Sequence, residues 1–148
     1  MELSQSDPKE LVEICSKEID LLHFFFVNWY SGIIEKTSEN FLQLEKALSE
    51  KFFLITPEGK ILNRSEIIEL INSNYGKYKG LQGEFEIWIK NPIFRYIKED
   101  VITLTYEEWQ KIGYETHGRL SSVAFLHKEG TDTLKNLKWL HVHEVWLN

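Results

Sequence analysis

The sequence predicts an α+β domain, helices first and an antiparallel sheet after them, on three observations. A helical apolar period runs from Pro8 to about Tyr30 and returns in two shorter stretches before Gly76. From Phe85 onward the period switches to two and holds to Leu147. No helical stretch separates those late strands, as a parallel sheet would require.

Taking the elements in order, Asp7-Pro8 places a capping side chain before a proline at the first helical position. Leu11, Cys15, Ile19, Leu22, Phe26 and Trp29 then recur along one face, and Ser31-Gly32 ends the helix. Leu21, Phe24 and Phe25 widen the stripe, so cover is expected on two sides. Thr37 or Ser38 caps a second helix carrying Phe41, Leu44 and Leu48. Phe52 to Thr56 reads as a strand, Pro57 to Lys60 as a turn into Ile61-Leu62. Asn63-Arg64-Ser65-Glu66 is a capping box opening a third helix, which fades at Tyr75-Gly76. Four strands follow, over 85–89, 101–110, 116–128 and 137–147, with a polar loop from Lys128 to Asn136.

At 148 residues one domain, 1–148, is expected. Three Pro, eight Gly and 14% aromatics exclude a low-complexity or disordered chain. With 17 Lys+Arg against 23 Asp+Glu the net charge is −6, and no basic block is present. Nucleic acid is therefore not an expected partner, because backbone binding needs clustered cations. The single cysteine excludes an internal disulfide and a cysteine zinc cluster. The start lacks a signal-peptide pattern, and the longest apolar run is Phe24 to Val27. That is far short of a span of roughly 20 residues, so no membrane is expected and the cytoplasm is the expected location.

Ile87 and Ile89 alternate with Trp88, and Leu140 and Val142 with Trp139, so these strands are apolar on both faces. A sheet with one wet side would show polar residues there. A homodimer through the sheet face would cover that surface; the competing reading is that these aromatics cap a sheet edge.

Three segments carry a family resemblance: Phe26-Val27-Asn28-Trp29-Tyr30, Leu54-Ile55-Thr56-Pro57-Glu58-Gly59 and Thr105-Tyr106-Glu107-Glu108-Trp109-Gln110. Together with the element order they resemble the nuclear-transport-factor-2-like superfamily, in its bacterial branch near the polyketide cyclase-like (SnoaL-like) and ketosteroid-isomerase-like proteins. The ending Trp139-Leu140-His141-Val142-His143-Glu144-Val145-Trp146 is similar to the association domain of calcium/calmodulin-dependent kinases. The resemblance implies a cystatin-like, cone-shaped fold, with a curved sheet wrapped around the long helix and a small-molecule pocket at the hollow end. It implies no single function, because the superfamily hosts isomerases, dehydratases, cyclases and assembly modules.

Several residues bear chemistry. His141 and His143 lie two apart on a strand, on one face, with side chains roughly 6–7 Å apart. They read as structural histidines, as acid/base or substrate-binding groups, or as half of a metal site. No convincing third ligand is spaced to complete that site, and neither metal nor cofactor is expected. Glu107-Glu108 sends one carboxylate to each sheet face, and an inward one is a candidate base, with Glu107 taken for that role. Arg119 would anchor a ligand carboxylate or pair with Glu107. Trp29, Tyr30, Trp88 and Trp109 are candidate aromatic walls for a ligand, or plain core. In ketosteroid-isomerase-like relatives a first-helix Tyr meets the substrate oxygen, and Tyr30 is near the matching region. Their strand Asp has no counterpart here, since Asp occurs only at 7, 20, 100 and 132.

Two functions remain open. One is a domain that binds a small apolar carbonyl or carboxylate compound, with proton-transfer chemistry carried by His143, His141 and Glu107. The other is a non-catalytic dimerisation or assembly module.

Overall fold

A computed structural model describes residues 7–127 and 137–147. The expected loop from Lys128 to Asn136 falls outside the described residues. The order is α1 (Pro8–Tyr30), α2 (Ser38–Ala47), β1 (Leu48–Ile55), β2 (Ile61–Asn63), α3 (Arg64–Ser73), β3 (Glu84–Lys98), β4 (Val101–Gly113), β5 (Glu115–His127) and β6 (Leu137–Leu147). The caps act as the sequence predicts: Asp7 accepts from the Lys9 amide at 3.0 Å, and Asn63 and Glu66 form a complete capping box.

Six strands make one curved, open sheet in the order β2-β1-β6-β5-β4-β3. Only β1 and β6 run parallel; the other neighbours are antiparallel. Leu48 starts β1 rather than ending α2, because it pairs with Trp139 of β6. The long helix lies in the concavity. Leu11, Cys15, Ile19 and Leu22 of α1 are buried in one core with Ile102, Leu104, Val123 and Phe125 of the sheet, while Phe25 and Trp29 pack on Phe41 of α2. Burial pushes the Cys15 thiol up to about 12, with the Glu18 charge adding to it. This cysteine is packing, not a nucleophile. Of the residues that widen the stripe, Phe25 is buried and covered by Phe41 of α2, while Leu21 and Phe24 stay exposed among the described residues. No helix among those residues is long and apolar enough to cross a membrane.

The chain after α3 closes one end of the cone. Gly76, at φ +69°, donates its amide to the Trp29 carbonyl, and the Tyr78 amide donates to Tyr30. Those bonds fix the C-terminal end of α1 and therefore the position of Tyr30.

Candidate functional site

One bulge decides which side chains of β6 face inward. Ala124 of β5 pairs with His141 but its neighbour Phe125 pairs with Trp139, so Leu140 is an extra residue. Trp139 and Val142, three apart, are consequently both buried on the concave side. After the bulge alternation resumes, with Val142, Glu144 and Trp146 inward and His141, His143 and Val145 outward. On β4 the inward set is Tyr106, Glu108 and Gln110, and on β5 it includes Arg119, which pairs across from Glu108.

These residues frame a cavity of about 500 Å³ between α1, the sheet and α3. Its walls are mainly apolar: Leu22, Phe26, Phe52, Leu54, Ile67 and Ile87 contribute. Polar groups gather on one side of it. His23 of α1 sends Nε2 to Glu108 Oε1 at 2.9 Å, while its Nδ1 lies 2.7 Å from the Ile19 carbonyl. Gln110 donates to the other Glu108 oxygen at 2.5 Å. Arg119 donates through one nitrogen to both oxygens of Glu144, each at 3.3 Å. The indole of Trp146 lies over the guanidinium at 4.8 Å and donates to Glu58 at 2.7 Å. Trp146, Glu58, Leu70 and Lys77 are the exposed members of the lining and mark its rim.

Charges in this cluster set one another's protonation. Burial favours a neutral Glu108, but the charge and hydrogen bond of His23, with Arg119 and Gln110, outweigh it and hold the carboxyl at about 2. For His23, burial alone favours the neutral ring, yet Glu108 and the Ile19 carbonyl raise its affinity for the second proton. Both ring nitrogens face acceptors, so the ring is an imidazolium beside a carboxylate. Glu144 goes the other way. Burial pushes it up to about 7, Arg119 opposes, and the Glu108 charge adds to the rise. Burial also raises the Tyr30 and Tyr106 hydroxyls, so both are neutral donors at the cavity wall.

Of the residues singled out from sequence, Tyr30 and Arg119 line this cavity. Trp29 does not: it is fully buried and donates to the Ile71 carbonyl at 2.8 Å. His141, His143 and Glu107 lie on the convex face, apart from the cavity. His141 is stacked on Phe53 at 4.1 Å, with Nδ1 3.2 Å from the Phe53 carbonyl, and His143 is exposed. Glu107 accepts from Asn91 at 2.8 Å and from Trp109 at 2.9 Å, which lowers its pKa. Trp88 and Trp109 pair across β3 and β4 on that convex face, and Trp88 also borders a second, open groove beside α1. The Glu107–Arg119 pairing is corrected: Arg119 sits opposite Glu108 and bonds Glu144, because adjacent strand residues face opposite sides. The sequence reading missed His23, although a histidine four after Ile19 and three before Phe26 lies within the apolar stripe. Among the described residues no group of three His, Cys, Asp or Glu is placed to hold a metal.

Comparison with known proteins agrees with this architecture. A nuclear-transport-factor-2-like protein of unknown function from Pseudomonas aeruginosa superposes with a TM-score of 0.78 at 24% identity, covering 91% of this chain and 99% of that one. The S. rosetta CaMKII hub superposes with a TM-score of 0.65 at 10% identity, covering 96% and 98%. The fold is thus nuclear-transport-factor-2-like, with cystatin-like neighbours as well. In sequence, sucrose-phosphatase 2 of Nicotiana tabacum is 24% identical over 131 residues, which is 88% of this chain but only 30% of the length of that relative. The family model described as sucrose-6-phosphate phosphohydrolase C-terminal matches residues 15–148. With nearly the whole chain matched, the protein belongs to the sucrose-6-phosphate phosphohydrolase C-terminal family.

Proposed function

We propose that the chain is a small-molecule-binding domain, whose cavity takes a largely apolar molecule with one polar end. The observation that carries this is the segregation of the lining. Apolar side chains of α1, α3, β1 and β3 form most of the wall, while His23, Glu108, Arg119 and Glu144 converge on one side. A packed core has no room of this size, and its ionic groups are rare and fully paired. Apolar pockets with a few convergent polar groups are the usual form of a ligand site. Within this reading Tyr30 and Arg119 are ligand-binding residues. Glu144, whose proton affinity lies near neutrality, is the group suited to proton transfer.

The test is binding of 1-anilinonaphthalene-8-sulfonate, followed by its fluorescence. One site per chain is expected, lost when Leu54→Trp fills the cavity while the urea midpoint is kept. Undiminished binding by that variant would overturn the reading. Sucrose, named in the tobacco relatives, belongs in the same assay as a competitor; displacement of the dye by it would redefine the ligand as a carbohydrate.

A second reading, self-association, is favoured by the convex face. Phe53, Leu120 and Val145 are exposed there beside His141 and His143. Similarly folded chains are described as hubs and association domains. In this reading His141, His143, Glu107, Trp88 and Trp109 belong to an interface between two copies rather than to a catalytic site.

A further inference from the structure

The four inner ionic groups of the cavity do not all pair well, and the imbalance points to the charge of the ligand. His23 and Glu108 neutralise each other at 2.9 Å, with Gln110 on the remaining carboxylate oxygen. Arg119 and Glu144 are joined less well. A good arginine–carboxylate pair uses two nitrogens at about 2.7–2.9 Å, whereas here a single nitrogen reaches both oxygens at 3.3 Å. The buried Nε of Arg119 has no hydrogen-bond partner. Among the described residues, the charged and titratable side chains around Glu144 are Arg119 from β5, Glu108 and Tyr106 from β4, and His23 from α1, with Tyr30 of α1 also on the cavity wall and Glu58 and Lys77 farther out at the rim. When Glu144 carries a proton, the inner set holds two cations against one anion. It is then one negative charge short of neutrality, beside a guanidinium only loosely paired with Glu144 and at the end of an apolar chamber.

We propose that the ligand is an apolar-bodied monocarboxylate, its head group held at Arg119 and its binding accompanied by uptake of one proton at Glu144. The proposal rests on the ligand-binding reading above and specifies its ligand. The proton comes from solvent and ends on a Glu144 oxygen, so no bond to carbon is made or broken. The incoming carboxylate takes over as the partner of Arg119, and the protonated Glu144 offers an O–H where a second carboxylate would repel. A phosphate ester is disfavoured by the same geometry, because a dianion would overshoot the single missing charge beside Glu108.

Titration calorimetry with octanoate and with octanamide, the neutral isostere, tests this. Octanoate is expected to bind at pH 6. Its affinity should fall nearly tenfold per pH unit above pH 7.5, the slope of one linked proton. At pH 8, heats in phosphate and in Tris, which differ in ionisation enthalpy, should report uptake of close to one proton. Octanamide should bind at least tenfold more weakly at pH 6 and show no pH slope. Glu144→Gln should retain octanoate binding at pH 8.5, and the buffer comparison on the unaltered protein decides the matter if that variant does not fold. Octanoate affinity independent of pH, or octanamide binding as tightly as octanoate, would overturn the carboxylate proposal and leave the cavity reading standing. Failure of both compounds to bind, together with absence of dye binding, would remove both.

Discussion

His23 Nε2 and Glu108 Oε1 lie 2.9 Å apart in the buried interior, joining α1 to β4 across 85 positions of sequence. Each is about 95% shielded from solvent, so neither charge has water as an alternative partner. Breaking a buried pair from one side leaves the other charge uncompensated, at a cost of about 3–5 kcal/mol. His23→Ala is therefore expected to lower the urea midpoint at unchanged m-value by at least as much as Leu22→Ala, one position earlier on α1. The double variant His23→Leu with Glu108→Met should recover much of that loss, because it leaves no orphaned charge. A His23→Ala variant as stable as the parent would mean that the pair contributes nothing to folding.

Glu144 sets a different pH dependence. Its folded-state pKa, about 7, lies above the value near 4.3 of an unfolded glutamate. The folded state thus holds the proton more tightly, and stability falls as pH rises between those two values, by about 1.4 kcal/mol per unit at most. Glu108 runs the other way: its stabilisation is complete above about 4.3 and is lost only as pH falls toward 2. The His23 contribution is fully present below about 6.5 and is lost as pH rises through its raised folded value. Between pH 5 and 6.5 the Glu144 contribution can accordingly be read by difference. Urea unfolding of the parent should lose stability across that window relative to Glu144→Gln, and parallel curves would contradict the assignment.

Element order was legible in the sequence because each signal is local. The Asn63–Glu66 box, the period of α1 and the switch to period two at Phe85 need no knowledge of what they pack against. Facing was not legible on β6, because it hangs on the single extra residue Leu140, which two apolar neighbours do not betray. Without the bulge, Trp139 and His141 would share a face; with it, Trp139 points in and the histidine pair points out. The same ambiguity put Glu107 forward in place of Glu108. His23 illustrates another limit. It lies within the helical stripe, but its partner is supplied by a strand 85 positions away, and no local pattern connects the two.

Gly118 of β5 faces Trp109 of β4, and a Cβ there would lie 2.7 Å from the indole ring. Real side chains do not approach so closely, so Gly118→Ala must push the ring aside and disturb its hydrogen bond to Glu107 at 2.9 Å. A loss of about 1–3 kcal/mol is expected, the range for overpacking. Trp109→Thr should relieve most of it when combined with Gly118→Ala. If the two losses simply add in the double variant, the contact is not the cause.

The convex face supplies the final expectation. Leu120 and Val145 are cross-strand neighbours on β5 and β6, exposed at 38% and 44%, with Phe53 close by on β1. In an isolated chain, a polar substitution at such surface positions changes stability by only about 0.5 kcal/mol. In a face-to-face dimer the same change buries an unpaired charge. Light scattering should therefore give about twice the chain mass of 17.6 kDa for the parent protein, unchanged in high salt because apolar burial is not screened. Leu120→Asp should give the single-chain mass. Folding linked to association also makes the parent's urea midpoint rise with protein concentration, while that of Leu120→Asp stays constant. A parent that scatters as a single chain at tens of micromolar, with a midpoint independent of concentration, would sink the interface and leave the exposed apolar pair as ordinary surface.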